Sequence, residues 1–276
     1  MKNHTLPDRR PRIPDPREAL RRAWVINRPL TFVGLLMLGT LAIALAGLVV
    51  DPRVITGAPA WLKPMKFAIS ISIYCFTLLW LLTFIRGRPR LVKLVSWVTA
   101  VGVEMALIVS AAALGTTSHF NMSTPFHATV SGAMAFFIVL DWLMNLLAIV
   151  LLLNQRLPNP AFAWSLRLGL LVASVGMAVA FFMTSGPTPA QLAADQRGEG
   201  MPIVGAHSVG VEDGGPGLPV TGWSTVGGDL RVAHFFGLHG LQALPLLGFL
   251  LANFGPVWLR PGHRVALVWT AGLAYL

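Results

Sequence analysis

Apolar residues come in long blocks, not in 3.6- or 2-residue alternation, and polar runs separate them. The blocks lie near 29–50, 67–85, 94–115, 127–153, 168–185 and 233–254. Each is near or above the roughly 17–25 residues that cross the hydrocarbon of a bilayer as a helix. A seventh begins near Val265 and reaches only Leu276, too short to cross at about 1.5 Å per residue, so the expectation is a last span cut short. The pattern predicts an all-α, polytopic transmembrane helix bundle of about seven spans. A basic N-terminal segment, 1–28, leads into a single membrane domain, 29–276, and a long loop, 186–232, joins spans five and six.

Composition agrees: 55% of the 276 residues are hydrophobic, only 12% are charged, and the mean hydropathy is +0.67. A soluble domain has about one quarter charged residues. The net charge of +10 would suggest nucleic acid in a soluble chain, but position decides here. Of the 21 Lys and Arg, eight fall in the N-terminal segment, four at Arg86, Arg88, Arg90 and Lys93, and two each in the fourth and sixth loops. That makes sixteen on one side. The other side holds Arg53, Lys63, Lys66, Arg197 and Arg231. The positive-inside rule then puts the N-terminus in the cytoplasm and the long loop outside, with lipid and not nucleic acid as the surrounding partner. The N-terminal segment has no apolar core or cleavage site, so span one reads as an uncleaved anchor. The single Cys75 falls inside span two and excludes an intramolecular disulfide.

With that topology, His119, His127, His207, His234 and His239 all lie toward the outer face. Histidine is the commonest side-chain ligand for transition metals and haem, so a cluster beside a lid-like loop points to a shared site. A hairpin folded about Met122 or Ser123 sets His119 opposite His127 and brings Glu104 and Asp141 to similar depth on neighbouring helices. Buried ionisable groups of this kind pair or shuttle protons. On span four, His127, Ser131, Met134, Asp141 and Asn145 share one face. His234 and His239 are five apart, about 140° round a helix, so they serve two partners in preference to one small ion. Gly237 and Gly240 beside them suit a close helix approach first, or a flat cofactor. Arg231, one turn outward, could pair with a propionate at the rim. Lys66 is expected to snorkel or to meet a buried acid, and Trp61–Lys66 to anchor span two at the headgroups. No Walker loop, dinucleotide fingerprint, serine elbow or zinc-protease motif is present.

The stretches Trp61-Leu62-Lys63-Pro64-Met65-Lys66-Phe67-Ala68, Ser118-His119-Phe120-Asn121-Met122-Ser123-Thr124-Pro125 and Gly228-Asp229-Leu230-Arg231-Val232-Ala233-His234-Phe235-Phe236-Gly237-Leu238-His239 resemble a family of bacterial multi-pass membrane proteins. The resemblance implies a plasma-membrane helical protein and no particular activity or cofactor. Membrane b-type cytochromes also set glycines beside helix histidines, but their paired spacing is absent here.

The leading expectation is therefore a membrane metalloprotein, a redox protein or oxidoreductase exchanging electrons with a quinone or other partner. Its haem or Cu, Fe or Zn ion would be held by some of His119, His127, His207, His234 and His239, with Arg231 at the rim. Glu104 and Asp141 would carry protons. The alternative is a proton-coupled small-molecule transporter or binding protein without a metal. The sequence leaves substrate and oligomeric state open.

Overall fold

The computed structural model describes residues 15–55, 57–101, 103–256 and 258–276. The first half of the basic N-terminal segment, with Lys2, His4, Arg9, Arg10 and Arg12, lies outside them. Ten helices and two short antiparallel strand pairs follow in order: α1 Pro16–Ile26, α2 Arg28–Val50, β1 Val54–Ile55, β2 Ala58–Pro59, α3 Leu62–Leu82, α4 Pro89–Thr99, α5 Val103–Leu114, α6 Pro125–Leu153, α7 Pro160–Met183, α8 Pro189–Gln196, β3 Ser208–Val209, β4 Gly228–Asp229, α9 Leu230–Phe254 and α10 Pro261–Tyr275. Among the described residues, six stretches are long and apolar enough to cross a bilayer: α2, α3, α4 with α5, α6, α7 and α9. By length and composition this is a multi-pass helical membrane protein. The helix α10, with 15 residues, occupies the place of the expected seventh span.

Local sequence dictates the helix starts. Asn27 and Asn159 accept a bond from the backbone N–H of Leu30 and Phe162 through their side-chain oxygens, and Thr124 does the same for His127. In each case a proline stands at the first or second helical position, where its missing N–H costs nothing. Asn27 also donates to Ser96 Oγ at 2.6 Å, which ties the α1–α2 junction to α4.

Three helix starts differ from the sequence reading by five residues or more, one being α4, which begins at Pro89 and not near 94. The helix α3 begins at Leu62, not near 67, so Lys63 and Lys66 belong to its first turns. The helix α7 begins at Pro160, not near 168, because Arg167 finds partners at helix depth: it donates to the Gln155 carbonyl at 2.8 Å and lies over the Trp164 ring at 5.1 Å. The third expected span is divided, with Ala100 and Val101 turning between α4 and α5.

The principal core joins α2, α3, α4, α6 and α7 around Leu30, Leu78, Val95, Leu152 and Leu166, and a second cluster joins α7, α9 and α10 around Val172, Leu244 and Val268. Large apolar side chains such as Phe32, Val49, Phe136, Phe182 and Leu246 point outward instead, as lipid contact requires. The pair α7 and α9 packs closest. A Cβ on Gly237 would meet the Gly176 Cα at 2.5 Å, and one on Gly169 would meet the Pro245 ring at 2.9 Å. Pro245 stands inside α9 and is buried. On α6, Asn145 is fully buried and donates to Ser174 Oγ at 2.6 Å and to the Leu170 carbonyl at 3.3 Å, holding α6 against α7.

The connection from α7 to α9 has secondary structure of its own. It contains α8 with a full capping box at Thr188 and Gln191, and the β3–β4 pair closes just before α9. Its middle runs antiparallel to the α5–α6 connection, with Met122 N–H bonded to the Pro202 carbonyl and Val204 N–H to the Phe120 carbonyl. Phe120 is in the left-handed region at φ 63° and so turns its ring toward the connection, 5.0 Å from that of His207.

Candidate functional site

A grouping of polar side chains lies at the end of the bundle that carries this connection. His119 sits just after α5, half-buried between α3 and the long connection. Its Nδ1 accepts from Lys63 Nζ at 2.9 Å and from Ser118 Oγ at 2.9 Å. An ammonium can only donate, so Nδ1 is the unprotonated nitrogen and Nε2 bears the hydrogen. That Nε2 lies 3.5 Å from Glu104 Oε1, beyond a good hydrogen bond but within ion-pair reach. Glu104 is in the first turn of α5, where a carboxylate suits the positive end of the helix dipole, and its side chain is 15% exposed. Lys63 is thus hydrogen-bonded to His119, with Glu104 within ion-pair reach, so the three run from α3 to α5, flanked by the Phe67 ring at 5.9 Å.

Burial first, and then the neighbouring Lys63 charge, hold the His119 imidazole below its usual value against the pull of Glu104. The ring is therefore neutral at neutral pH. Deeper in, Asp141 on α6 is within electrostatic reach of Glu104 and of Tyr74 on α3. The Tyr74 hydroxyl and Thr99 Oγ1 are buried without a hydrogen-bond partner among the described residues.

The other histidines are occupied separately. His127 Nδ1 faces the hydroxyls of Ser123 and Thr124 at 3.1 and 3.0 Å. His207 Nδ1 donates to Asp213 at 2.8 Å. His234 Nδ1 donates to the Gly176 carbonyl at 2.8 Å, across the α7–α9 contact. His239 Nδ1 donates to Gln242 Oε1 at 3.3 Å, and Gln242 reaches Thr77 on α3 at 3.1 Å. Arg231 closes on Asp229, the side chain that starts α9, at 2.9 and 2.6 Å, and on the Gly222 carbonyl at 2.7 Å. Among the described residues, no group of three or more His, Cys, Asp and Glu side chains is placed to hold a metal ion. Among the described residues the imidazoles share an end of the bundle but not a centre.

Lys63 and Ser118 are the site residues that sequence reading passed over. The available signal was a lysine within a turn of an apolar helix, which must find a partner or reach the surface.

The His207–Asp213 contact has a measurable consequence. Burial alone would push the Asp213 carboxyl up, but the His207 imidazole and the backbone N–H groups of His207 and Ser208 outweigh it and hold the carboxyl well below the usual carboxylate range. A carboxyl depressed in the folded state stabilises the turn above its ordinary value of about 4 and loses that contribution as pH falls through the depressed one. Amide exchange at His207 and Ser208, corrected for intrinsic rate, is expected to rise in strong acid. Asp213→Asn should reproduce the rise at neutral pH, and unchanged exchange in that variant would refute the anchoring role.

Compared with family models, curated proteins and solved structures, the chain matches none.

Proposed function

We propose that the protein is a proton-coupled small-molecule transporter or binding protein of a bacterial plasma membrane, with Lys63, His119 and Glu104 as its proton relay. The basic-residue asymmetry supports an orientation with the N-terminus cytoplasmic and the long connection outside, as a cover over the relay. The observation that carries the reading is the Lys63–His119–Glu104 arrangement, which places a neutral imidazole between a donor on one nitrogen and a carboxylate beside the other. Such a ring passes a proton without turning: it gives the Nε2 proton to Glu104 as Nδ1 receives one from Lys63 or Ser118, and the ring charge is the same before and after. Asp141, within electrostatic reach of Glu104, is the next acceptor in the relay.

A pH titration of the purified protein by infrared difference spectroscopy tests this. We expect the carboxyl C=O region of the difference spectrum to change in both Glu104→Gln and Asp141→Asn. A spectrum unchanged by Glu104→Gln overturns the relay. An absorption spectrum and elemental analysis on the same sample guard the alternative: a Soret band or stoichiometric metal would replace this reading with the His-ligated redox centre.

A further inference from the structure

Lys66, one turn after Lys63 on α3, donates to the carbonyls of Val220 and Thr221 at 3.3 and 3.4 Å, long for N–H···O bonds. Arg231, at the start of α9, donates to the next carbonyl, Gly222, at 2.7 Å. Cations from two helices thus grip the short run 220–222 through its backbone. Within the run, Val220 holds φ 65°, a left-handed conformation that β-branched side chains rarely adopt. The neighbouring Thr221 Oγ1 is buried with no hydrogen-bond partner among the described residues. Charge is also out of balance. The cations Lys63, Lys66 and Arg231 feel one another's fields, whereas among the described residues two carboxylates serve them: Glu104 through His119, and Asp229 against Arg231. Among the described residues, Lys66 has carbonyl dipoles and no carboxylate.

We propose that the seam between the first turns of α3 and the run 220–222 binds a singly charged oxyanion, with Lys66 as its ion pair and the Thr221 hydroxyl as its second donor. A soluble organic acid or the phosphodiester of a lipid headgroup presents the same chemistry. The ligand oxygens replace the two long carbonyl contacts on Lys66 with shorter charge-assisted bonds, about twice as strong as neutral ones. Thr221 gains its missing partner, and the 220–222 run is freed from one of its two grips. The site stands apart from the proton relay, since Glu104→Gln in the infrared titration and Lys66→Gln in the assay below can fail independently.

The full chain in zwitterionic nanodiscs is titrated with sodium acetate against sodium chloride at constant ionic strength. A second arm replaces part of the lipid with phosphatidylglycerol. Thermal stability and tryptophan fluorescence are read, with Trp223 beside the run as the local reporter. We expect a saturable response in at least one arm: acetate identifies a soluble acid as the source, and phosphatidylglycerol alone identifies a headgroup. Lys66→Gln is expected to weaken it by about tenfold or more, as loss of a charge-assisted pair implies. Lys66→Arg should retain it, and Lys93→Gln, an exposed lysine elsewhere, should leave it unchanged. No response in either arm, a chloride response equal to that of acetate, or a Lys66→Gln variant that responds like the parent would overturn the proposal.

Discussion

Replacing Gly237 with leucine is expected to lower the thermal midpoint of the purified protein sharply. A Cβ there would lie 2.5 Å from the Gly176 Cα and 3.1 Å from its nitrogen, and a Cβ on Gly176 would lie 2.7 Å from two backbone atoms of Gly237. Neither neighbour is the end of a flexible side chain, so the helices must separate. Separation removes van der Waals contact along the most extensive helix pair of the bundle, which in hydrocarbon is the main source of helix association. It also stretches the 2.8 Å bond from His234 to the Gly176 carbonyl. Overpacking costs about 1–3 kcal/mol and an interhelical bond in a membrane about 1 kcal/mol, so a loss of roughly 3 kcal/mol is expected. Gly132 on α6, with nothing within 4 Å of its would-be Cβ, is the control. Gly132→Leu should leave the midpoint nearly unchanged. Equal effects at the two glycines would contradict the close α7–α9 approach.

His119→Gln carries the second large effect, on proton exchange more than on folding. Glutamine keeps much of the volume and can accept from Lys63, but its amide cannot release a proton on one side while taking one on the other. A positioned acid–base group contributes about 10²–10⁴-fold to proton-transfer rates, so infrared relaxation of the Glu104 carboxyl after a pH jump should slow by that order. His127→Gln should leave it unaltered, because among the described residues the His127 ring bonds to the hydroxyls of Ser123 and Thr124 and not to the relay. The imidazole also adds a stability effect of defined sign. Because its folded value is depressed, the stability it contributes is complete above the ordinary histidine value of about 6.5 and declines as pH falls toward the folded one. Parent and His119→Gln midpoints should therefore converge in acid.

What was legible in the sequence follows from what periodicity measures. Block length marked the spans because hydrocarbon thickness sets a minimum run of apolar residues, and α2, α6 and α9 begin and end within three residues of the expected limits. It misplaced the starts of α3 and α7 because Lys63, Lys66 and Arg167 look like loop residues on a hydropathy scale. In the fold they are helical residues whose charged ends find carbonyls, an imidazole or a tryptophan face. The histidines were sortable by side and not by partner. The five that the sequence placed together have partners ranging from one residue away, His119 with Ser118, to 58, His234 with Gly176. Which long-range partner a side chain meets depends on how helices stack, and no local pattern encodes that. The joining of Lys63 to His119, 56 residues apart, belongs to the same class.

Pro245 gives α9 an uneven mechanical character. Proline has no N–H to offer the Leu241 carbonyl four residues back, so one rung of the backbone ladder is absent midway between His239 and the end of the helix. Yet both sides of that rung are fastened to α7: the upper part where Gly237 meets Gly176, the lower where Gly248 meets Ser165. Compliance in this helix is thereby concentrated in a single turn, and a tilt of the segment bearing Arg231, His234 and His239 is taken up there, leaving the far half still.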